Sequence, residues 1–314
     1  MPVRRTPWAR LPAALSVLLA LLALCTVAAA ERARPGPRVQ RELDLRPPPG
    51  MRSRSLRYPW DGQLVRGMRL RESDYVRYVG EYAPHGRFYG TWELVQLLER
   101  AARRVAFRLP GAKLSVGELS RPGGGRVDGH RSHESGRDVD LGFYVTRSDG
   151  EPLYTYAFAA FDARGHGVAP NQYLRFDDAR NWELVAKLLS DGETRVQYIF
   201  VASYLKQRLL DEARRRGAPG GLIERAKAAL VQPAHGHPHH NHFHVRVYCG
   251  PADQGLCRDS GPFWPWYPGT PPGGVFAHVG MALPVVEAPA SRAASVHGAE
   301  DAIAQDHAVG QHHR

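Results

Sequence analysis

Two short stretches of this chain alternate between apolar and chemically active residues, and they constrain its fold more than any other feature. In NHFHVRV, residues 241–247, Phe243, Val245 and Val247 share one face of a strand, and His242, His244 and Arg246 share the other. In GRDVDLGFYV, residues 136–145, Val139, Leu141 and Phe143 lie opposite Asp138 and Asp140. An apolar strand face needs a core beneath it, so the imidazoles and carboxylates must look out on the far side of the sheet. There a carboxylate and an imidazole can converge on one ion. His242 and His244 stand about 6.6 Å apart at strand rise, so one can bind a metal while the other reaches water or substrate.

Helical patterns surround these strands. Thr91 can cap a helix whose Leu94, Leu97, Leu98, Ala101 and Val105 recur at helical spacing, ending near Arg108 before Pro110. Asp177 or Asp178 can cap a second, carrying Trp182, Val185, Leu188 and Leu189 and stopped by Gly192. SYLKQRLLDEARRRG reads as a third, capped by Ser203 and closed by Gly217, and a fourth covers residues 221–230. KLSVGEL and VQYIFVA read as strands. With no repeating βαβ period, the pattern predicts an α+β domain: a small antiparallel sheet with flanking helices.

The 314 residues, 43% of them hydrophobic, suffice for one sizeable core once the ends are set aside. Residues 1–30 read as a cleavable signal peptide, with Arg4, Arg5 and Arg10, then an apolar run from Leu11 to Val27, then Ala28, Ala29 and Ala30. Cleavage is expected after Ala30, giving a periplasmic protein with no stable membrane insertion. Residues 31–57, rich in proline and arginine, are expected as a flexible lead-in; the folded domain spans 58–283, and 284–314 form a polar, alanine-rich disordered tail. The formal net charge of +11 becomes +8 without the three signal arginines, which suits an anionic cell wall; arginine-rich codon usage explains it equally well. The chain carries no zinc-finger, RNP or helix-turn-helix signature, and export argues against nucleic acid as a partner. Cys249 and Cys257 form the pair left in an oxidising compartment, and a disulfide between them closes a short loop worth roughly 2.5 kcal/mol.

GHRSHESGRDVDL adds His130 and His133 to Asp138 and Asp140, with Gly136 letting the chain turn between the histidine arm and the strand. Imidazole and carboxylate are ordinary zinc ligands, and three of them with an open position are what a hydrolytic zinc needs. HPHHNHFHV, with five histidines in nine residues, could alternatively be a scavenging tract, although such tracts lack alternating apolar partners.

The spacing H-x-x-G-x-x-x-D (His133, Gly136, Asp140), followed by H-x-H (His242, His244), resembles the superfamily of lysostaphin, the D-Ala-D-Ala metallopeptidases and sonic hedgehog. Within it, GGGRVDGHRSHESGRDVDL and HHNHFHVRVYC resemble the penicillin-insensitive murein endopeptidases. The resemblance implies a zinc peptidase domain of the hedgehog kind. It makes His133, Asp140 and His244 zinc ligands, with His130 an additional one. His242 becomes the active-site base, and His239 a second active-site histidine that holds substrate or, if protonated, stabilises charge on the tetrahedral species. The family also shows a cysteine pair like Cys249 and Cys257. The implied substrate is cross-linked peptidoglycan, cut between the D-alanine of one stem peptide and the diamino acid of its neighbour. Competing readings are a D,D- or L,D-carboxypeptidase on stem peptides, a non-catalytic zinc-binding module of the same fold, and a histidine-rich metal carrier.

Around this set, Asp138 is expected to orient a ligand imidazole, and His235, His237 and His240 are loop residues without a role. Arg137 and Arg246 could grip a substrate carboxylate. Tyr144, Tyr173 and Tyr248 could line the cleft, although packing suits each of them better.

Overall fold

The computed structural model describes residues 52–253 and 255–267, so the expected signal peptide, most of the lead-in and the tail lie outside the described residues. The described residues belong to one compact unit. None of its helices is long and apolar enough to cross a membrane.

The chain opens with a hairpin of β1 (Arg54–Tyr58) and β2 (Asp61–Val65), so regular structure begins inside the stretch expected as lead-in. β3 (Met68–Arg69) then pairs with β5 (Tyr89–Gly90), and β8 (Val145–Arg147) lies between β10 (Leu174–Phe176) and β9 (Pro152–Leu153). The main sheet has six strands in the order β12 (Leu230–Val231), β11 (Val196–Phe200), β13 (His242–Val247), β7 (Asp138–Gly142), β6 (Leu114–Val116) and β4 (Val76–Tyr78). Its four inner strands are antiparallel, as expected; β12 and β4 each add in parallel at the edges.

Helix α1 (Trp92–Arg108) starts where Thr91 Oγ1 accepts the Leu94 N–H, and it buries Leu94, Leu97, Leu98, Ala101 and Val105. Helix α2 (Asp178–Ser190) is capped by Asp177, which accepts the Arg180 N–H. Ser203 was expected as the cap of α3 (Ser203–Arg215), but it is the first helical residue, and its N–H donates to the Gln232 side chain at 2.8 Å. A distant amide oxygen satisfies the free donor that a local hydroxyl would otherwise take. Helix α4 (Gly220–Ala229) completes the set.

The alternation seen in sequence sets the two faces of the sheet. Val139, Leu141, Ile199, Phe243, Val245 and Val247 are fully buried in one core with the apolar faces of α1, α2 and α3. Each large side chain buried this way contributes about 1.5–3 kcal/mol. The register of β13 on β7 sets His244 opposite Asp140 and Arg246 opposite Asp138. A slip of one residue would oppose His244 to a core residue and turn the active face inward.

Cys249 and Cys257 are joined in a disulfide whose loop lies against the first hairpin, where Arg57 donates to Leu256 O and accepts from Arg258 N. Arg137 braces this corner. Its guanidinium, 1% exposed, pairs with Asp259 and donates to Arg258 O. It is therefore a buried structural cation and not a grip on substrate, because its neighbours enclose it.

Candidate metal centre

Three segments meet on the open face of the sheet: strand β7 with Asp138 and Asp140, strand β13 with His242 and His244, and the loop bearing His130 and His133. Gly136 turns that loop into β7. It sits at φ +76°, and a Cβ there would meet the Leu64 side chain at 2.7 Å and the Thr91 backbone nitrogen at 3.1 Å, so only glycine fits. His133 is itself left-handed at φ +72°, a strained conformation for a side-chain-bearing residue that the surrounding bonds maintain.

The donor atoms converge closely. His133 Nε2 lies 3.3 Å from His244 Nδ1 and 3.5 Å from Asp140 Oδ1, while His244 Nδ1 lies 3.0 Å from Asp140 Oδ1. On the other side of the carboxylate, His130 Nδ1 is 3.5 Å from Asp140 Oδ2. His130, His133 and Asp140 form a group able to hold a metal ion.

The second nitrogen of each ring decides how well such an ion is served. His133 Nδ1–H donates to Leu119 O at 2.8 Å, His244 Nε2–H donates to Asp138 Oδ1 at 3.1 Å, and His130 Nε2 meets Glu118 Oε2 at 2.7 Å. Each acceptor holds a proton on the outer nitrogen, so the inner nitrogen is the one that would bind an ion. Three imidazoles aimed inward around a buried carboxylate are a donor set that fits a borderline divalent cation. Asp138 therefore orients His244, as expected. Arg246 fixes Asp138 in turn, with Nε at 2.6 Å from Oδ1, so it too is occupied in the protein rather than by a substrate carboxylate.

Burial opposes charge on Asp140, but His133, His242 and His244 outweigh it and hold the carboxyl well below its ordinary range. Burial would likewise lower His244, yet its bonds to Asp138 and Asp140 raise it to about 9. His242 behaves differently. Burial pushes it down to about 3, with Asp140 opposing only in part, so the ring is neutral. Its Nδ1–H donates to Asn241 Oδ1 at 2.7 Å, which leaves the Nε2 lone pair 3.6 Å from Asp140 Oδ1. Nε2 is therefore the free acceptor of the ring.

His239, also left-handed at φ +53°, lies beside His242 and His244 with ring centroids 5.0 and 5.8 Å away. Burial and the neighbouring His244 lower it to about 4. Its Nδ1–H donates to His237 O, so Nε2 is an acceptor. Buried beside a more basic imidazole, the ring is held neutral, so the condition for stabilising charge is not met and the substrate-holding role remains open to it.

Other residues forming the site had no signal in the sequence. Phe158 stacks on His242 at 4.7 Å and 19°, and it fits because Gly117 lacks a Cβ that would meet its ring at 2.5 Å. Phe200, opposite His244 on β11, lies 5.3 Å from that ring. Residues 117–120 supply the Leu119 carbonyl and the Glu118 carboxylate already named, and the Ser120 hydroxyl donates to His133 O. Tyr144 and Tyr248 are buried away from solvent, and Tyr173 is 54% exposed. His235, His237 and His240 lie in the loop before β13.

The model of the penicillin-insensitive murein endopeptidase family matches residues 75–266, which include every residue of this centre. The chain is 33% identical over 182 residues to the penicillin-insensitive murein endopeptidase of Haemophilus influenzae, an alignment covering 56% of this chain and 57% of that protein. It is 29% identical over 177 residues to the protein of that name from Salmonella heidelberg, covering 55% and 58%. The chain thus spans somewhat more than half the length of these curated relatives. With 75–266 matched over well over half of the 314 residues, the chain belongs to the penicillin-insensitive murein endopeptidase family.

Proposed function

We propose that this protein is a zinc-dependent murein endopeptidase, exported to the periplasm, that cuts the D-alanyl to diamino acid cross-links of peptidoglycan. One observation carries the reading: three imidazoles with their outer nitrogens committed to protein acceptors aim their inner nitrogens at Asp140, next to a neutral, oriented His242. The names of the relatives support the substrate, and the α+β fold is of the hedgehog and D-Ala-D-Ala metallopeptidase kind in this reading.

His133, Asp140 and His244 hold the ion, with His130 as a further ligand. Zinc bound there supplies Lewis acidity, which acidifies water and polarises the scissile carbonyl. The chain's own residues do the rest. His242 Nε2 takes the proton from the attacking water and returns it to the leaving amine. His239 Nε2 accepts a hydrogen bond from a substrate N–H and so aligns the peptide. Phe158 and Phe200 wall the site with flat apolar surface suited to alanine methyl groups and exclude bulk water.

Digestion of purified sacculi by the wild-type chain and by His242→Ala tests this. Cross-linked dimers should become monomers with the wild type, and the variant should be slower by about 10²–10⁴-fold while retaining its metal. Release of D-alanine alone would make the protein a carboxypeptidase. Metal-loaded protein that cleaves nothing would make it a binding module.

A further inference from the structure

Of the imidazoles around Asp140, His130 has the least support from its own backbone. His244 is set by the β13–β7 register, and His133 is held at three points, through its Nδ1, its N–H to Asp138 and its carbonyl to Ser120. His130 stands in a loop after Gly129, with 20% of its side chain exposed, and its N–H makes a 3.2 Å bond to Val127 O. From its own loop the ring meets the His133 ring, centroids 4.3 Å apart at 56°, a contact that leaves its tautomer open.

Glu118 fixes the tautomer from the neighbouring segment. Its side chain is 3% exposed and lies just beyond β6, where its backbone carbonyl accepts the Asp140 N–H at 2.9 Å. Oε2 meets His130 Nε2 at 2.7 Å, and Oε1 meets His85 Nδ1 at the same distance, with Arg87 Nη1 3.3 Å away. The carboxylate is thereby fixed on both oxygens and anchored by its backbone to the strand that carries Asp140.

We infer that Glu118 is a positioning residue of the metal centre, holding His130 by Nε2 so that Nδ1 faces Asp140, with His85 and Arg87 clamping the carboxylate in place. This rests on the zinc-site reading above. A carboxylate on the outer nitrogen of a ligand histidine both selects the tautomer and makes the inner nitrogen a better donor, and loss of such a partner typically lowers metal affinity about 10–100-fold. Without Glu118, His130 would lose the bond that fixes its tautomer, and the centre would rely on its other ligands.

The test measures zinc affinity of the purified chain by competition with a chromophoric chelator, for wild type, Glu118→Ala, Glu118→Gln, His130→Ala and the Glu118→Ala/His130→Ala double variant. Glu118→Ala should weaken zinc about 10–100-fold, and Glu118→Gln, which keeps the shape and one acceptor, about tenfold. The double variant should bind no worse than His130→Ala alone, because Glu118 acts through that ring; a purely structural role would instead add to the His130 effect. Melting of the zinc-free proteins identifies an unfolded alanine variant, in which case the glutamine variant carries the test. Wild-type affinity in either Glu118 variant, or full additivity in the double variant, overturns the inference. A wild-type chain with no stoichiometric zinc site overturns the zinc reading itself. Tight zinc in the wild type together with an unaffected His130→Ala variant overturns the positioning role alone.

Discussion

His244 on β13 and His240 in the loop before it stand four residues apart in surroundings that differ in every respect that matters for chemistry. His244 is 7% exposed, faces Asp140 across a strand register and is held on both nitrogens by aspartates. His240 touches the His237 ring at 4.9 Å, and its backbone carbonyl, not its imidazole, is what the fold uses, accepting from Phe161 N. The contrast shows that histidine density says little about a site. What matters is whether the fold holds the outer nitrogen and turns the inner one toward the buried carboxylate of Asp140.

The most severe way to break this contrast is to remove its centre. Asp140→Ala should abolish stoichiometric metal binding and lower kcat/KM on cross-linked muropeptides by at least about 10³-fold, since several kcal/mol of charge stabilisation disappear with the ion. Bound-metal analysis beside product chromatography checks it, and a variant that keeps both metal and activity would move the centre elsewhere.

Acid should separate the scaffold from the site. Burial would raise Asp191, but Arg100 and Lys187 outweigh it and lower it to about 2. A carboxyl depressed in the folded state stabilises it fully above the unfolded value, near 4, and loses that contribution as pH falls through about 2. Over that window the wild type should lose about 2 kcal/mol more than Asp191→Asn, read from urea unfolding at each pH. Parallel curves would show that the pair contributes nothing.

A subtler change tests orientation without touching a ligand. Asn241→Ala frees His242 Nδ1, and kcat should fall by up to about tenfold, the value of one hydrogen bond, with zinc affinity unchanged. A drop in zinc affinity instead would mean that Asn241 serves the metal site rather than the base. At the small end, His235→Ala and His240→Ala should leave kcat/KM and metal content within about twofold of wild type, as surface substitutions away from special features do. A large effect from either would promote the loop to part of the site.

Much of the architecture was legible because it is local. Thr91 and Asp177 cap helices where the hydroxyl and carboxylate patterns place them, whereas Ser203 does not, because Gln232, 29 residues away, supplies the acceptor. The pairing of Cys249 with Cys257 was legible from the expected export and the short spacing. Arg137 and Arg246 misled: an arginine beside an active strand looks like a substrate grip, and only the fold shows Asp259 and Asp138 already holding them.

The sequence by itself determined which side chains face the same way, because strand alternation is a property of the backbone of a few consecutive residues. It therefore separated His242, His244, Asp138 and Asp140 from the core. Only the tertiary structure decided what those side chains are. The β13–β7 register sets His244 against Asp140, the Leu119 carbonyl and the Glu118 carboxylate select tautomers in a loop distant from their own strand, and burial keeps His239 and His242 neutral. A carbonyl has no residue identity to read and a tautomer depends on its acceptor, so both arise only when segments far apart in the chain are brought into contact.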